Sequence, residues 1–313
     1  ITDDGYYCID SAIQLESVWN VNHKVTLCLN GQTITANSGI TAIEVNDLGS
    51  LTLLDCSQNN EGKITGGKIG IYTTGEFIMQ GGEITGNKTG IYAISGLTVG
   101  GKAKVIGNDN QNILLSRGAM LYFNTLEESA KFGISMTDQD TLADEERVTV
   151  TDENGGQYFD QLVADGFDEN GENGFALYLS EDGTTVTFGK QRAHKHCICG
   201  DGSKTVNGHT HDEESITFKP WTAADSLPQE GNYYLTRNVT MAGDADLINV
   251  NICLNGYTVT LPDSGTYIQT GANGYNNQKG SLTDCIGTGT ITGNCIFIER
   301  DSTINLYGGT LSG

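Results

Sequence analysis

Residues 62–81 read GKITGGKIGIYTTGEFIMQG, and residues 82–101 read GEITGNKTGIYAISGLTVGG. Laid one over the other, they place Ile64 on Ile84, Thr65 on Thr85, Gly66 on Gly86, Ile71 on Ile91 and Tyr72 on Tyr92, a period of 20 residues. Within each line, short alternating runs such as KIT, GIYT and FIMQ stand between glycines and asparagines, which is the periodicity of strands and not of helices. A unit of a few short strands cannot bury its apolar side alone. Stacking successive units buries it, with strands pairing in parallel from coil to coil. Glycine and asparagine tolerate the left-handed backbone angles such corners need. The pattern predicts an all-β parallel β-helix, a solenoid, and the rule for parallel crossovers makes it right-handed. The same phrase returns as GTITGN at 289–294 and GGTLSG at 308–313.

A longer period of about 225–231 residues encloses the short one. GYYCIDS, VTLCLNGQTIT, GSLTLLDCS and GKITGG near the start are answered in order by NYYLTRN, VNICLNGYTVT, GSLTDCIG and GTITGN after residue 230. Cys28 then corresponds to Cys253, Gly31 to Gly256 and Cys56 to Cys285. Aligning the tyrosine pairs sets Cys8 opposite Leu235. Two tandem copies follow: a first parallel β-helix over 1–120 and a second, truncated one over 227–313. Between them the 20-residue phrase is lost. KFGISMT and RVTVT read as strands, YFDQLVADG as a short helix ending at a glycine, and FALYLSEDGTTVTFG as a hairpin turning at Asp182-Gly183. Residues 121–190 are therefore expected to form a small α+β cap over the open end of the first helix, where unpaired strand edges need cover. Residues 191–226 form a Cys/His-rich linker. The final YGGTLSG stops in mid-pattern, which suggests an excised piece of a longer chain.

Composition fits this picture. The 313 residues include 42 glycines but only 3 prolines, which argues for tightly turned β-structure over collagen or disorder. A net charge of −22 repels nucleic acid and anionic membrane surfaces. No apolar run is long enough to span a membrane, and the polar start ITDDGYY is no signal peptide.

The phrases LCLNGQTIT (27–35), ICLNGYTVT (252–260), GGEITGN (81–87), HKHCICG (194–200) and LPQEGNYYL (227–235) resemble large cell-surface proteins of Gram-positive gut bacteria. Those proteins carry arrays of parallel β-helix repeats related to the pectate-lyase-like fold. The resemblance implies a secreted, wall-associated protein used in adhesion or glycan contact. Fold alone does not supply that function.

Residues 194–211, HKHCICGDGSKTVNGHTH, hold four of the five histidines and two of the eight cysteines. Thiolate and imidazole are the ligands tetrahedral zinc prefers. Cys197, Cys199, His209 and His211 make the leading ligand set, with His194 or His196 as substitutes. The metal would be structural, because a short segment without a core of its own needs a staple. Secretion would permit disulfides among Cys8, Cys28, Cys56, Cys253, Cys285 and Cys295, but Cys28 and Cys56 sit in apolar strand contexts and Cys8 opposite a leucine, which favours buried thiols over bridges.

No catalytic constellation stands out. Asp55 and Asp284 are the only repeated acids worth marking, and an aspartate bonding backbone amides at a corner explains them. The acidic stretch 164–174, ADGFDENGENG, suggests calcium through Asp165, Asp168, Asn170 and Glu172. It fails the EF-hand pattern, with Asn173 where glycine is required, so a solvated acidic loop describes it better. If Ile71 and Ile91 point inward, Tyr72 and Tyr92 point outward as an aromatic ladder, a surface suited to sugars. The sequence thus predicts an extracellular structural or adhesive module and not an enzyme, with a host or microbial glycan or surface protein as partner, monomeric within a longer chain. A carbohydrate-binding module is the alternative, followed by a polysaccharide lyase or hydrolase.

Overall fold

A computed structural model describes residues 3–167, 174–180, 182–191, 193–198, 205–206, 209–210, 216–221, 230–247, 249–261, 267–270, 278–293, 296–298 and 301–312. The chain divides into two units. One comprises residues up to Phe167 with Gly174–Gln191, and the other chiefly Arg192–Gly313. Both are parallel β-solenoids built on three ladders.

In the first unit, one ladder stacks Gly5–Cys8, Lys24–Cys28, Ser50–Leu54, Glu76–Met79, Leu97–Gly101 and Leu121–Leu126. The other two ladders are laid down by the remaining short strands of each coil. The 20-residue period is the coil length here: Ile64 faces Ile84, and Ile71 and Tyr72 face Ile91 and Tyr92, in parallel register. One inward column runs Ile34, Ile64, Ile84, Val105, Phe132, and a second runs Ile43, Ile71, Ile91, Ile113, Ile134. Apart from Ile34, at 2% exposure, these residues are fully buried, so β-branched side chains, with Phe132 ending one column, fill successive rungs of one continuous core.

The ladders do not stop at 120. Leu121–Leu126 pairs with Leu97–Gly101, and Lys131–Met136 extends both remaining ladders at once, facing Lys104–Val105 with its first half and Gln111–Leu115 with its second. The glycine phrase disappears there because Lys131–Met136 runs straight through the place where earlier coils turn a corner. YFDQLVADG also departs from a single helix: a 3₁₀ turn over Gly155–Gln161 gives way to the strand Leu162–Ala164, which adds in parallel to Lys131–Met136. The hairpin lies where the sequence puts it. Phe175–Leu179 runs antiparallel to Val186–Lys190, with Gly183 at φ 74°, and Arg147–Thr149 completes the sheet. Val186 and Phe188 belong to the main core cluster.

The second unit begins before residue 227. Ile216–Trp221 already pairs in parallel with Gly231–Leu235, and Val250–Cys253, Lys279–Thr283 and Thr303–Leu306 continue that ladder. His194–His196 joins its other edge, antiparallel to Ile216–Trp221. The inward column Tyr233, Ile252, Leu282 packs in a core cluster of its own.

Phrases of the long period take the same local structure. In LNG, Asn30 and Gly31 have φ of 52° and 75°, Asn255 and Gly256 have 50° and 81°, and each pair is closed by a backbone bond, Gln32 N to Leu29 O and Tyr257 N to Leu254 O. Two consecutive positive φ angles explain why asparagine and glycine stand there. The start of each unit's wall ladder corrects the sequence alignment by one residue. Tyr7 faces Leu27 as Tyr233 faces Ile252, and Cys8 faces Cys28 as Tyr234 faces Cys253. Cys8 therefore matches Tyr234 and not Leu235. It points outward and is exposed, where a buried thiol was expected.

Candidate metal centre

Strand alternation decides where the cysteines go. In Lys24–Cys28 the inward residues are Val25 and Leu27, so Cys28 stands on the outer face of the wall. In Val250–Cys253 the inward residues are Val250 and Ile252, and Cys253 likewise faces out. The next rung ends at Leu54 in one unit and at Thr283 in the other. The chain then bends through Asp55-Cys56 or Asp284-Cys285 and brings a second sulfur to the same outer spot.

The two spots differ in what has formed. Cys28 and Cys56 are joined by a disulfide, with Cα atoms 6.2 Å apart, which corrects the expectation of buried thiols at these two positions. Cys253 and Cys285 remain unbonded, with sulfurs 3.5 Å apart. Against them lies the strand His194–His196. Its two imidazoles meet at 3.0 Å between Nε2 atoms, and His194 Nε2 lies 3.4 Å from Cys253 Sγ and 3.6 Å from Cys285 Sγ. Four ligand atoms, one each from His194, His196, Cys253 and Cys285, all lie within 4.8 Å of one another. This group could hold a metal ion, and no other such group occurs among the described residues.

Aromatic packing fixes the rings. His194 stacks on Tyr234 with centroids 4.3 Å apart, and His196 stacks on Phe218 at 4.2 Å. Phe218 and Tyr234 form a small buried cluster with Cys253. His196 Nδ1 meets the carbonyl of Cys197, the bond that places the ring proton on Nδ1 and turns the Nε2 lone pair toward the sulfurs. The Cys253 thiol donates to Cys285 and thereby drives Cys285 down, with burial opposing and His194 and His196 assisting. The same bond, helped by burial, pushes Cys253 up.

The spacing suits a tetrahedral ion. Bonds of about 2.3 Å to sulfur and 2.0–2.1 Å to nitrogen require edges of roughly 3.3 Å between nitrogens, 3.6 Å between sulfur and nitrogen and 3.8 Å between sulfurs. Four of the six edges, those between the two histidines, between the two sulfurs and from His194 to each sulfur, fall within about 0.3 Å of these values, and the two from His196 to the sulfurs lie within 4.8 Å.

The histidines of the predicted set are thus partly in place, and the cysteines come from elsewhere. His194 and His196, the substitutes, are the two that converge. Cys197 is half-buried and contributes its carbonyl. His209 is described only as backbone, pairing with Val206 in a small hairpin. Cys199, His211 and Cys295 lie outside the described residues. Cys253 and Cys285 are free thiols as expected, Cys253 fully buried and Cys285 partly so, but they stand on the outer face and not among the core side chains. The signal that finds them is the phase of VNIC, which aims its cysteine away from the core.

The repeated aspartates do what a corner requires. Asp55 Oδ1 accepts from the amides of Gly31 and Ser57 at 2.8 and 3.1 Å, and Oδ2 from Gly62 at 2.6 Å. Asp284 accepts from Gly256 and Gly289 at 2.8 and 2.5 Å. Burial alone would raise Asp55, but the amides of Gly62, Gly31 and Ser57 together hold it below the ordinary value.

Asp165, one of the calcium candidates, closes a column of asparagines. Asn87 binds Asn108, Asn108 binds Asn112, and Asn112 gives its backbone and side-chain N–H to the two Asp165 oxygens at 2.6 and 2.7 Å. Burial holds its carboxyl above the usual range, against the bonds from Asn112. Asp168, Asn170 and Glu172 lie outside the described residues.

Tyr72 and Tyr92 point outward beside the buried Ile71 and Ile91, as alternation predicts. Their rings meet edge to face, 5.5 Å apart at 75°, and so form a packed pair in place of parallel plates. No helix among the described residues is long and apolar enough to cross a membrane. No family model, curated protein or solved structure matches the chain.

Proposed function

We propose that the chain is a structural and adhesive β-helical module of a bacterial cell-surface protein, working outside the cell and not as an enzyme. The observation that carries this reading is the use made of the repeated acids. Asp55 and Asp284 spend both carboxylate oxygens on backbone amides, and so hold coils together. The outer side faces are then left for contact with a glycan or a surface protein, and the acidic charge keeps such a module soluble. Within it, His194, His196, Cys253 and Cys285 bind a structural zinc ion that ties the strand before the second solenoid to two of its coils.

Two measurements test the reading. Zinc content by elemental analysis should approach one equivalent and fall to background in Cys253→Ser with Cys285→Ser. For the module role, incubation with pectins and mucins should release neither reducing sugar nor unsaturated product. Turnover abolished by replacing one carboxylate overturns it.

Carbohydrate binding is the second reading, favoured by the outward Tyr72–Tyr92 pair. Glycan-array signal lost in Tyr72→Ala with Tyr92→Ala would establish it.

A further inference from the structure

Cys28–Cys56 and Cys253–Cys285 occupy one backbone frame. Each first cysteine ends a wall strand, and the residue after it donates to the carbonyl of the facing rung, Leu29 N to Leu54 O at 2.8 Å and Leu254 N to Thr283 O at 2.7 Å. Each second cysteine follows an aspartate held by the amide of the LNG glycine. In the first unit this frame has closed into a disulfide, and in the second the sulfurs stand 3.5 Å apart. What differs is the His194–His196 strand lying against the second pair.

We infer that Cys253 and Cys285 are a latent disulfide, held open by the metal and closed by a two-electron oxidant such as hydrogen peroxide, with release of the ion. This inference rests on the zinc reading above. Burial orders the steps: Cys253 is fully buried, whereas Cys285 is partly accessible. The Cys285 thiolate attacks one peroxide oxygen. Its sulfur becomes sulfenic acid, and hydroxide leaves. The Cys253 thiolate then attacks that sulfur, forms the S–S bond and expels a second hydroxide. Two thiolates and one peroxide thus give one disulfide and two hydroxides, the sulfurs losing the two electrons that peroxide gains. A disulfide sulfur is a far weaker ligand than a thiolate, so the zinc passes to solvent with only two imidazoles left to hold it.

The test uses the full chain loaded with zinc and treated with peroxide, with zinc followed by a chromogenic indicator and cysteine states by peptide mass spectrometry. One zinc should be released for each Cys253–Cys285 disulfide formed. In Cys253→Ser, a dimedone adduct should accumulate at Cys285, and in Cys285→Ser, Cys253 should stay reduced. His196→Gln keeps both cysteines but weakens metal binding, and it should form the disulfide at least tenfold faster at the same peroxide concentration. Zinc retained without a disulfide, or released with sulfinic acids in place of one, overturns the latent disulfide while leaving the zinc reading intact. A chain that never takes up zinc overturns both.

Discussion

Asp55 shows how much of the coil junction rests on a single side chain. It ties the LNG turn of one coil to the corner of the next through Gly31 and Gly62. Asp55→Ala strands those amides and should cost about 2–3 kcal/mol in urea unfolding. Asp55→Asn keeps one acceptor oxygen and should cost less. The pH dependence has a definite sign. The folded-state value lies below the ordinary 3.8, so the stabilisation is fully present above 3.8 and is lost as pH falls through the lowered value. The gap between wild type and Asp55→Asn should therefore be constant at neutral pH and narrow on acidification below 3.8. A gap that widens would mean the ionised carboxylate is not the favoured form. The sequence points to Asp55 and Asp284 through their repetition. Cys8 is harder to place, because GYYC and GNYY align equally well with or without a one-residue shift, and that shift exchanges inside for outside.

At the level of elements, corners are governed by what surrounds each glycine. A Cβ on Gly62 would stand 2.5 Å from Leu29 Cβ, and one on Gly289 would stand 2.6 Å from Leu254 Cβ, so the same corner recurs in both units. Gly62→Ala or Gly289→Ala should each cost about 2–3 kcal/mol, since neither the leucine nor the adjoining aspartate can withdraw. Gly183 has φ of 74° but open space around it, and its alanine variant should cost only about 1–2 kcal/mol. Gly39 has neither restriction, and Gly39→Ala should lie within about 0.5 kcal/mol of wild type. Equal losses at all four would show that crowding is not what selects glycine. The coil period was legible because Ile64, Ile84, Ile71 and Ile91 recur at fixed spacing. The run Lys131–Met136 was not recognisable as two ladders fused, because no corner residue marks the join. The asparagine column was hidden for a similar reason: Asn108 and Asn112 meet within one coil, whereas only stacking brings Asn87 onto Asn108 and Asp165 onto Asn112.

Across the whole molecule, each unit has its own core cluster, the first with a disulfide on its wall and the second with the candidate metal site. The disulfide belongs to the first unit and closes a loop with a sequence separation of 28, worth about 3–4 kcal/mol in the chain-entropy account. All four candidate ligands belong to the second, where an ion at a thousandfold excess over its dissociation constant contributes about 4 kcal/mol. Calorimetry of the zinc-loaded chain should accordingly resolve two transitions that respond to different reagents. A chelator should lower one by about 10 °C and leave the other in place. A phosphine reductant should lower only the second of these, by a similar amount. Cys28→Ser with Cys56→Ser should reproduce the reductant's effect, and Cys253→Ser with Cys285→Ser the chelator's. This pattern depends on where the two histidines sit. The sequence displays HKH plainly, but its partners lie 59 and 91 residues further on, reached only once the rungs are stacked and the outward phase of VNIC is known. A chelator that shifts both transitions together, or neither, would detach the metal from the stability of the second solenoid and leave packing alone to hold it.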